Sequence, residues 1–414
     1  MNRSERWAGQ IDTALPWFLY VFAFFLPFSI SGSQAVLAVL VLAVFARAVL
    51  RRRLGFRPGP VGWVIVAMVA WAVLAAPFSL HPEGAASRLA KYWIWLSYFV
   101  VLAALPSREV LVRAWKVLAA TGGVVALYGI AQHLVGNAVL LPFMPPEQLP
   151  VTTTGAVQAV GLFDHHLTYG NSLALTLLLA AGLIAAGRVW RDRIWLACCL
   201  GTMSMALLWS YARSAWVGLL AGLIAFGAAL GRRVLAAVIA GAFVVVGVAY
   251  FASPGLADRL ERVVRVDKNL ERIYTWKTTV DMIADHPVFG IGPGAYRQMT
   301  QTYREGYNIH WTATSHAHNS YLHFAAESGV VAGLLFALMI GLAIGVGARR
   351  RSDVKQAEKG DRLLAGALAA CVCFAAASAL QHNAGDAEVC MLYQFAVASA
   401  VFLARDAARD EGNR

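Results

Sequence analysis

Long apolar segments alternate with short polar connections through most of the chain. An apolar segment of about 17 to 25 residues can cross the ~30 Å hydrocarbon core of a bilayer as a helix that satisfies its own backbone hydrogen bonds. Such spans are predicted at 14–31, 34–50, 61–79, 92–106, 115–135, 167–187, 194–211, 214–230, 233–251, 326–347, 363–381 and 388–404. The pattern therefore predicts an all-α, polytopic integral membrane protein with about 12 transmembrane helices.

One polar segment, at residues 252–325, is much longer than the other connections. Within it, residues 257–265 and 272–284 repeat apolar side chains at helical spacing, which predicts two amphipathic helices. The glycine-rich turn at 290–294 lacks the lysine and hydroxyl residue of a phosphate-binding loop, and no strand precedes it. The chain therefore divides into nine transmembrane helices, a long outward loop, and three further transmembrane helices with a tail, at 1–251, 252–325 and 326–414.

Basic residues are concentrated in alternate connections, and this asymmetry predicts the orientation. Lys and Arg near span ends are retained in the cytoplasm, so both termini and the basic loops are assigned to that side. The opposite connections, apart from the long segment, hold only Arg88, Lys91 and Arg213. The long loop is thus predicted to face outward, and for the inner membrane of a Gram-negative bacterial cell that side is the periplasm.

Composition supports the membrane assignment and excludes other classes. Hydrophobic residues make up 59% of the 414 residues and charged residues 14%, and the mean hydropathy is +0.60, which a soluble domain would not tolerate. The net charge of +12 is explained by the basic residues that set the topology. No basic patch with interleaved aromatic residues indicates binding of nucleic acid. No nucleotide-binding motif is present, and no cofactor is expected.

Outside the long loop, only three basic residues lie in the connections predicted to face outward. Arg213 lies in the minimal turn between two spans, against the positive-inside bias, which indicates an anionic ligand or snorkelling to lipid headgroups. Arg88 and Lys91, at the outward start of the fourth span, are candidates for phosphate binding or for membrane anchoring. Charges in the long loop are nearly balanced, so any anion there must be held by individual arginines through their planar fork.

Paired histidines mark the end of the long loop, just before the chain becomes apolar again. His316 and His318 could ligate zinc together with the outward residues at 164–166, or serve as structural polar contacts. A neutral imidazole could equally act as a general base, because its usual pKa of ~6.5 lets it accept a proton near neutral pH. Asn319 could orient a bound sugar or the imidazole ring. These alternatives stay open from the residues alone.

Three ordered motifs carry a resemblance to a known family. They are Tyr211-Ala212-Arg213-Ser214-Ala215-Trp216, then Arg272-Ile273-Tyr274-Thr275-Trp276 leading into the turn at 286–294, then His316-Ala317-His318-Asn319-Ser320-Tyr321-Leu322 followed by Glu327-Ser328-Gly329. In this order and spacing, between about residues 155 and 345 on the outward side, the chain resembles the O-antigen ligase family. That superfamily also includes O-antigen polymerases and some protein-directed oligosaccharyltransferases.

The resemblance implies a membrane glycosyltransferase of lipopolysaccharide biosynthesis. Its donor would be O-antigen polysaccharide linked to undecaprenyl diphosphate, and its acceptor would be a sugar hydroxyl of lipid A-core. The expected partners also include membrane lipids, and no nucleic acid is expected to bind. His318 is the candidate general base, and Arg213 and Arg272 are the candidate catalytic ligands of the diphosphate. Candidate substrate contacts are His316, Asn319, Arg88, Lys91, Trp276 and Asp386.

The sequence also bears on the mechanism. No Asp-x-Asp signature for a divalent metal occurs, the nearest being Asp386-Ala387-Glu388, which a solvated turn also explains. A metal-independent transfer that inverts the anomeric carbon is therefore expected. An O-antigen polymerase or a protein oligosaccharyltransferase of the same superfamily is the alternative within this class. A secondary transporter is the alternative of another class, although it would more often have related halves and charges at midspan.

Overall fold

The architecture is that of a helical membrane bundle, seen in a computed structural model. The structure describes residues 3–141, 148–187, 189–265, 269–305, 307, 314–353 and 362–412. Parts of the predicted 252–325 loop lie outside these residues. Within them the only strand-like pairing is one isolated bridge between Val151 and Val157, and the predicted all-α fold is confirmed.

The α-helices follow one another along the whole chain. They are α1 Arg3–Phe25, α2 Ile30–Arg51, α3 Gly59–Ala75, α4 Ala85–Ala90, α5 Leu96–Ala104, α6 Arg108–Val135, α7 His166–Ala186, α8 Trp190–Trp209, α9 Arg213–Leu230, α10 Arg232–Ala252, α11 Pro254–Val264, α12 Leu270–Asp285, α13 Tyr296–Glu305, α14 Ser320–Asp353, α15 Arg362–Ser378 and α16 Ala387–Gly412.

Each predicted span falls on one or more of these helices. Among the described residues, eight helical segments are long and apolar enough to cross a membrane: Ile30–Arg51, Gly59–Phe78, Arg108–Val139, His166–Ala186, Arg213–Leu230, Arg232–Phe251, Ser320–Val346 and Ala387–Asp406. The other four predicted spans correspond to α1, to α5 with the 3-10 turn before it, to α8 and to α15, and α15 has only 17 residues. A polytopic membrane protein is therefore confirmed, and the count of twelve stays a prediction.

The best-buried helices of the bundle are α7, α15 and α16, which pack against one another, and α9 packs against α7 and α15. Small residues let α7 and α15 approach closely, as is common between membrane helices. A Cβ atom added to Gly182 would stand 3.1 Å from the Cα atom of Gly366, so neither position has room for a larger side chain. This rigid packing supports the helix ends at which the polar residues collect.

Three helices of the long loop lie over one end of the bundle. The predicted amphipathic helices are confirmed as α11 and α12, and α13 follows the glycine turn. α14 begins at Ser320, inside the range predicted as loop, and bends at Ser328 and Gly329, where the backbone leaves helical geometry. The first turns of this helix carry polar side chains, and the boundary predicted between 325 and 326 stays a prediction.

The glycine turn attaches the loop to this bend of α14. Ile291 N–H donates to the carbonyl of Ala326 at 2.8 Å, and Gly292 N–H donates to that of Glu327 at 3.0 Å. A Cβ atom on Gly329 would stand 1.8 Å from the carbonyl oxygen of Val288. The turn therefore has a structural reason for its glycines, consistent with the absence of a phosphate-loop signature.

Candidate active site

Polar side chains from several helix ends meet at one end of the bundle. Asn171 of α7 donates to the Ser214 hydroxyl of α9 at 3.4 Å and accepts from Asn383 at 3.2 Å. The Ser320 hydroxyl at the start of α14 donates to the carbonyl of Gln381 at 3.2 Å. The connection between α15 and α16 thus contacts α7 and α14 directly, and α9 joins this network through Asn171.

His318 stands immediately before α14 in a left-handed backbone conformation, with φ +48°. Such a conformation is uncommon outside glycine and persists only where the surroundings hold it. Its Nδ1 donates to the side-chain oxygen of Gln381 at 2.9 Å, which leaves the lone pair on Nε2 for a ligand. Burial lowers the pKa of His318, so the imidazole is neutral and can accept a proton near neutral pH.

Asn319 is the N-cap of α14. Its Oδ1 accepts the N–H of Leu322 at 3.1 Å, and its carbonyl accepts the N–H of His323 at 2.9 Å. These bonds satisfy donors that the first helical turn leaves unpaired. They also fix the backbone directly after His318, while the predicted contact of Asn319 with substrate stays a prediction.

Arg272 lies in the first turn of α12, near His318. Burial has the largest effect on the pKa of the His318 imidazole and lowers it, whereas the bond to Gln381 raises it. The positive charge of Arg272 lowers this pKa further. Burial also lowers the pKa of Arg272, although arginine stays charged in proteins. Within the described residues Arg272 has neither a carboxylate partner nor a hydrogen bond. A half-buried guanidinium in this state is suited to an anionic ligand.

Trp276 follows one turn later on the same face of α12. Its side chain is half-buried, and the buried Nε1–H finds no acceptor among the described residues. A buried indole donor usually has a partner in a folded protein. Trp276 therefore offers a second donor beside Arg272, in agreement with its prediction as a substrate contact, which stays untested.

Arg213 begins α9 and connects it to α12. The turn before it is built by Tyr211, whose φ is +54° and whose ring is buried against Leu256 and Ala249. Arg213 Nη1 donates to Asn269 Oδ1 at 2.9 Å, directly before α12 begins. The contact places the two predicted diphosphate ligands, Arg213 and Arg272, at the same end of α12.

Arg88 lies in a buried ionic cluster. Its Nε donates to Glu327 Oε2 at 3.0 Å, and its Nη2 donates to Nε2 of His323 at 2.7 Å and of His382 at 3.0 Å. Because a guanidinium can only donate, both imidazoles accept at Nε2 and carry their proton on Nδ1. Glu327, which is 4% exposed, also accepts the N–H of Gly294 at 3.1 Å. The cluster ties α4, α14, the glycine turn and the α15–α16 connection together.

His316 connects this cluster to His318. The ring centroid of His316 lies 4.4 Å from that of His318 and 5.8 Å from that of His382. Burial lowers the pKa of His316 to about 3, and burial also lowers the pKa of His382 well below its usual value. A chain of neutral imidazoles therefore runs from His318 to Arg88.

A small cleft of about 20 Å³ opens beside Arg88. Lys91 is exposed and lines the cleft together with Arg88, Tyr92, Ile94, Trp95, Phe324, Ala384 and Gly385. Two cations and a largely apolar wall thus meet at this cleft. The predicted phosphate binding by Arg88 and Lys91 stays a prediction, since the Arg88 guanidinium already pairs with Glu327.

Asp386 lies directly before α16. It is half-buried, its Oδ2 accepts the hydroxyl of Thr168 at 3.1 Å, and burial raises its pKa to about 6. These contacts differ from those of a fully solvated turn residue. The predicted contact of Asp386 with substrate stays a prediction.

Metal binding was the alternative role for the paired histidines. In the described ranges, no three or more His, Cys, Asp or Glu side chains are arranged to hold a metal ion. The zinc alternative for His316 and His318 therefore has no ligand set in this part of the chain. Metal independence of the reaction stays a prediction.

Residues 198–337 match a family model described as O-antigen ligase. The chain carries an O-antigen ligase domain. A comparison with curated proteins found no match. This O-antigen ligase domain contains Arg213, Arg272 and His318, whereas Arg88 and His382 lie outside it. Together with the apolar helices, the domain indicates a bacterial membrane enzyme of the glycosyltransferase kind, acting on polysaccharide and lipid-linked substrates.

Several residues around the candidate active site were not predicted. Gln381 and His382 lie beyond the matched segment, and His323 and Glu327 lie within it. One signal was present in the sequence, because the polar run Gln381-His382-Asn383 stands in a short connection between two apolar spans. No sequence pattern predicted that His323 and Glu327 contact Arg88, because Arg88 is far from both along the chain.

Proposed function

We propose that this protein is an O-antigen ligase that transfers polysaccharide from undecaprenyl diphosphate to a sugar hydroxyl of lipid A-core. In this reaction a glycosidic bond forms between the acceptor oxygen and the anomeric carbon of the polysaccharide. The bond between that carbon and the diphosphate oxygen breaks, and undecaprenyl diphosphate leaves. The free energy for transfer is held in the donor's own phosphate linkage, so no nucleotide is needed.

The observation that carries the proposal is the pairing of Arg272 with His318. Arg272 is a half-buried cation without an anionic partner among the described residues, and the neighbouring imidazole is neutral. A glycosyl transfer needs a base for the acceptor hydroxyl and a cation for the leaving diphosphate. The two groups supply both functions at adjacent positions, within the segment that matches the family.

His318 would act through Nε2, because Nδ1 is held by Gln381. As the acceptor oxygen attacks, its proton passes to Nε2, and the electron pair of the breaking bond moves to the diphosphate. Arg272 and Arg213 would bind the growing negative charge through planar forks that match phosphate oxygens. A single displacement of this kind inverts the anomeric carbon and requires no metal ion.

Charge asymmetry supports a periplasmic active site, with both termini in the cytoplasm. Each lipid substrate would keep its chains in the bilayer while the headgroups meet below α12. A single cysteine at the exposed Glu271, in a variant whose own cysteines are replaced, should react with a membrane-impermeant maleimide from the periplasm. A cysteine at the exposed Arg53 should react only after the inner membrane is opened, and the reverse pattern would contradict this orientation.

Purified protein in detergent can test the transfer directly. It is mixed with lipid-diphosphate-linked O-polysaccharide and lipid A-core in the presence of a chelator, and the product is read as a ladder on a gel. We expect the wild type to form the ladder and His318→Ala to lose at least about a hundredfold in rate, as for removal of a general base. His286→Ala, a histidine of the same loop outside the site, is the matched control.

The same assay separates the alternatives. Longer lipid-linked chains without modified lipid A-core would assign the protein as an O-antigen polymerase. Transfer to a protein acceptor would assign it as an oligosaccharyltransferase. The absence of any covalent product would favour a secondary transporter, and loss of the ladder on adding chelator would contradict metal independence.

A further inference from the structure

A second pocket lies at the end of the bundle opposite the candidate active site. It is formed where α7 ends and where α6, α8 and α15 begin, and its volume is about 200 Å³. The candidate active site uses the other ends of α7 and α15. The two sites therefore belong to opposite leaflets of the membrane, and the proposed transfer makes no use of the second pocket.

Cations predominate in the lining of this pocket. Arg108, Lys116 and Arg193 line it against one carboxylate, that of Asp192. Arg193 donates from Nε and Nη2 to the carbonyl of Gly187 at 2.9 and 2.6 Å, so one edge of its guanidinium is fixed at the end of α7. The pocket is therefore positively charged, and part of that charge is held in place.

Lys116 forms a partly exposed ion pair with Asp192, which positions its ammonium group. Its Nζ donates to Asp192 Oδ2 at 2.6 Å, and the two side chains are 34% and 37% exposed. An ammonium group has three donors, so one bond to Asp192 leaves two. Lys116 and Arg193 can therefore bind the same anion from two sides.

The rest of the lining is apolar and lies at the depth of the membrane interface. Val112, Leu183, Leu196 and Leu363 form this part of the wall. At the start of α8, Trp190 is 74% exposed, and tryptophan is enriched at the boundary between headgroups and acyl chains. A ligand there would have an anionic group beside the cations and an apolar part below.

We infer that this pocket binds the phosphate headgroup of an anionic phospholipid from the leaflet opposite the candidate active site. Basic pockets between transmembrane helices suit such headgroups, and charge-assisted bonds to phosphate are strong. The bound lipid would hold α6, α7, α8 and α15 together at an end where short polar connections join them. Free phosphate offers the same headgroup chemistry without the acyl chains.

Thermal unfolding of the full-length protein in neutral detergent tests this site. The midpoint is measured with phosphatidylglycerol, with phosphatidylcholine of the same acyl chains, and with inorganic phosphate. We expect only phosphatidylglycerol to raise the midpoint saturably, and Arg193→Gln to weaken its apparent affinity at least about tenfold. Arg233→Gln, which removes an exposed charge from the same end of the bundle outside the pocket, should leave the affinity unchanged.

Three results would overturn the inference. Equal responses to both lipids, or equal affinities in Arg193→Gln and Arg233→Gln, would exclude a specific headgroup site. An equal shift with inorganic phosphate alone would assign the pocket to free phosphate. If Arg193→Gln does not purify as a monodisperse protein, Arg108→Gln at an exposed side chain carries the same comparison.

Discussion

Two residues of the candidate site are held in backbone conformations that their side chains disfavour. Among the described residues, left-handed φ values outside glycine occur at Arg52, Tyr211 and His318. Arg52 ends α2, whereas Tyr211 lies in the turn before Arg213 and His318 carries the candidate catalytic imidazole. Such conformations cost on the order of 1–3 kcal/mol each and persist where the surroundings impose them. Their location favours a functional role for both turns.

The geometry of the Arg272 guanidinium gives the first prediction. Arg272→Lys keeps the charge but loses the planar fork, so we expect transfer to fall about a hundredfold, the cost typical of losing one donor to a transition-state oxyanion. The rate of ladder formation measures this change. Arg297→Lys, at an exposed position of α13, is the control. Near-normal rates in both Arg272→Lys and Arg213→Lys would refute the diphosphate role.

Gln381 is a positioning residue for His318. Gln381→Leu removes the acceptor of Nδ1–H, and we expect the rate to fall on the order of ten- to a hundredfold, as for partners that orient metal-bound histidines. Gln381→Glu keeps an acceptor and adds a negative charge that favours the imidazolium. The acid limb of its pH–rate profile should therefore move to higher pH than in the wild type. An unmoved limb would mean that Gln381 does not act through His318.

At the scale of elements, the spacing of apolar residues predicted the helices better than it predicted which helices contact one another. α11 and α12 were predicted from apolar repeats because an amphipathic helix carries its own signal. α14 begins at Ser320, before the predicted span at 326–347, because its polar first turns carry no apolar signal. The Arg88–Glu327 pair was missed for another reason, since it joins residues separated by most of the chain. Arg213 was singled out because it stands against the charge bias of the outward connections, whereas Arg272 and His318 were assigned through the resemblance to the O-antigen ligase family.

The bend of α14 supports the glycine turn and gives the element-scale prediction. Gly329→Ala adds a Cβ atom 1.8 Å from the Val288 carbonyl oxygen at a φ of +82°, so we expect a loss of at least about 1 kcal/mol in stability. It should also lower transfer, because Glu327 lies beside the bend. Gly341→Ala on the same helix, with open space at its Cβ, is the control. Equal melting temperatures for the two variants would contradict this account.

At the scale of the whole molecule, polar chemistry is collected at the two ends of an apolar bundle. The end with the candidate active site carries neutral imidazoles and arginines, and the opposite end carries the basic pocket around Arg193. Sequence predicted this division, since the charge asymmetry of the loops is a property of the whole chain. It did not predict which distant residues meet at each end, because contact between helices depends on packing that no local pattern records.

Buried neutral histidines make the stability of the molecule depend on pH. The pKa values of His316, His318 and His382 are lowered by burial, to about 3 for His316. Below the usual histidine pKa of ~6.5 the unfolded chain binds more protons than the folded one, so stability is lost as pH falls through this value. Between about pH 7 and about pH 5, each histidine that stays neutral should cost up to about 2 kcal/mol.

Thermal unfolding in detergent at these two pH values measures the effect. We expect the melting temperature to fall on acidification, and His316→Gln to reduce the fall, since it removes one group that the folded state keeps neutral. His81→Gln, at a side chain that is 36% exposed, should leave the fall unchanged. If His316→Gln and His81→Gln lose the same stability as the wild type, His316 must accept a proton in the folded protein. The chain of neutral imidazoles from His318 to Arg88 would then be broken at its middle member.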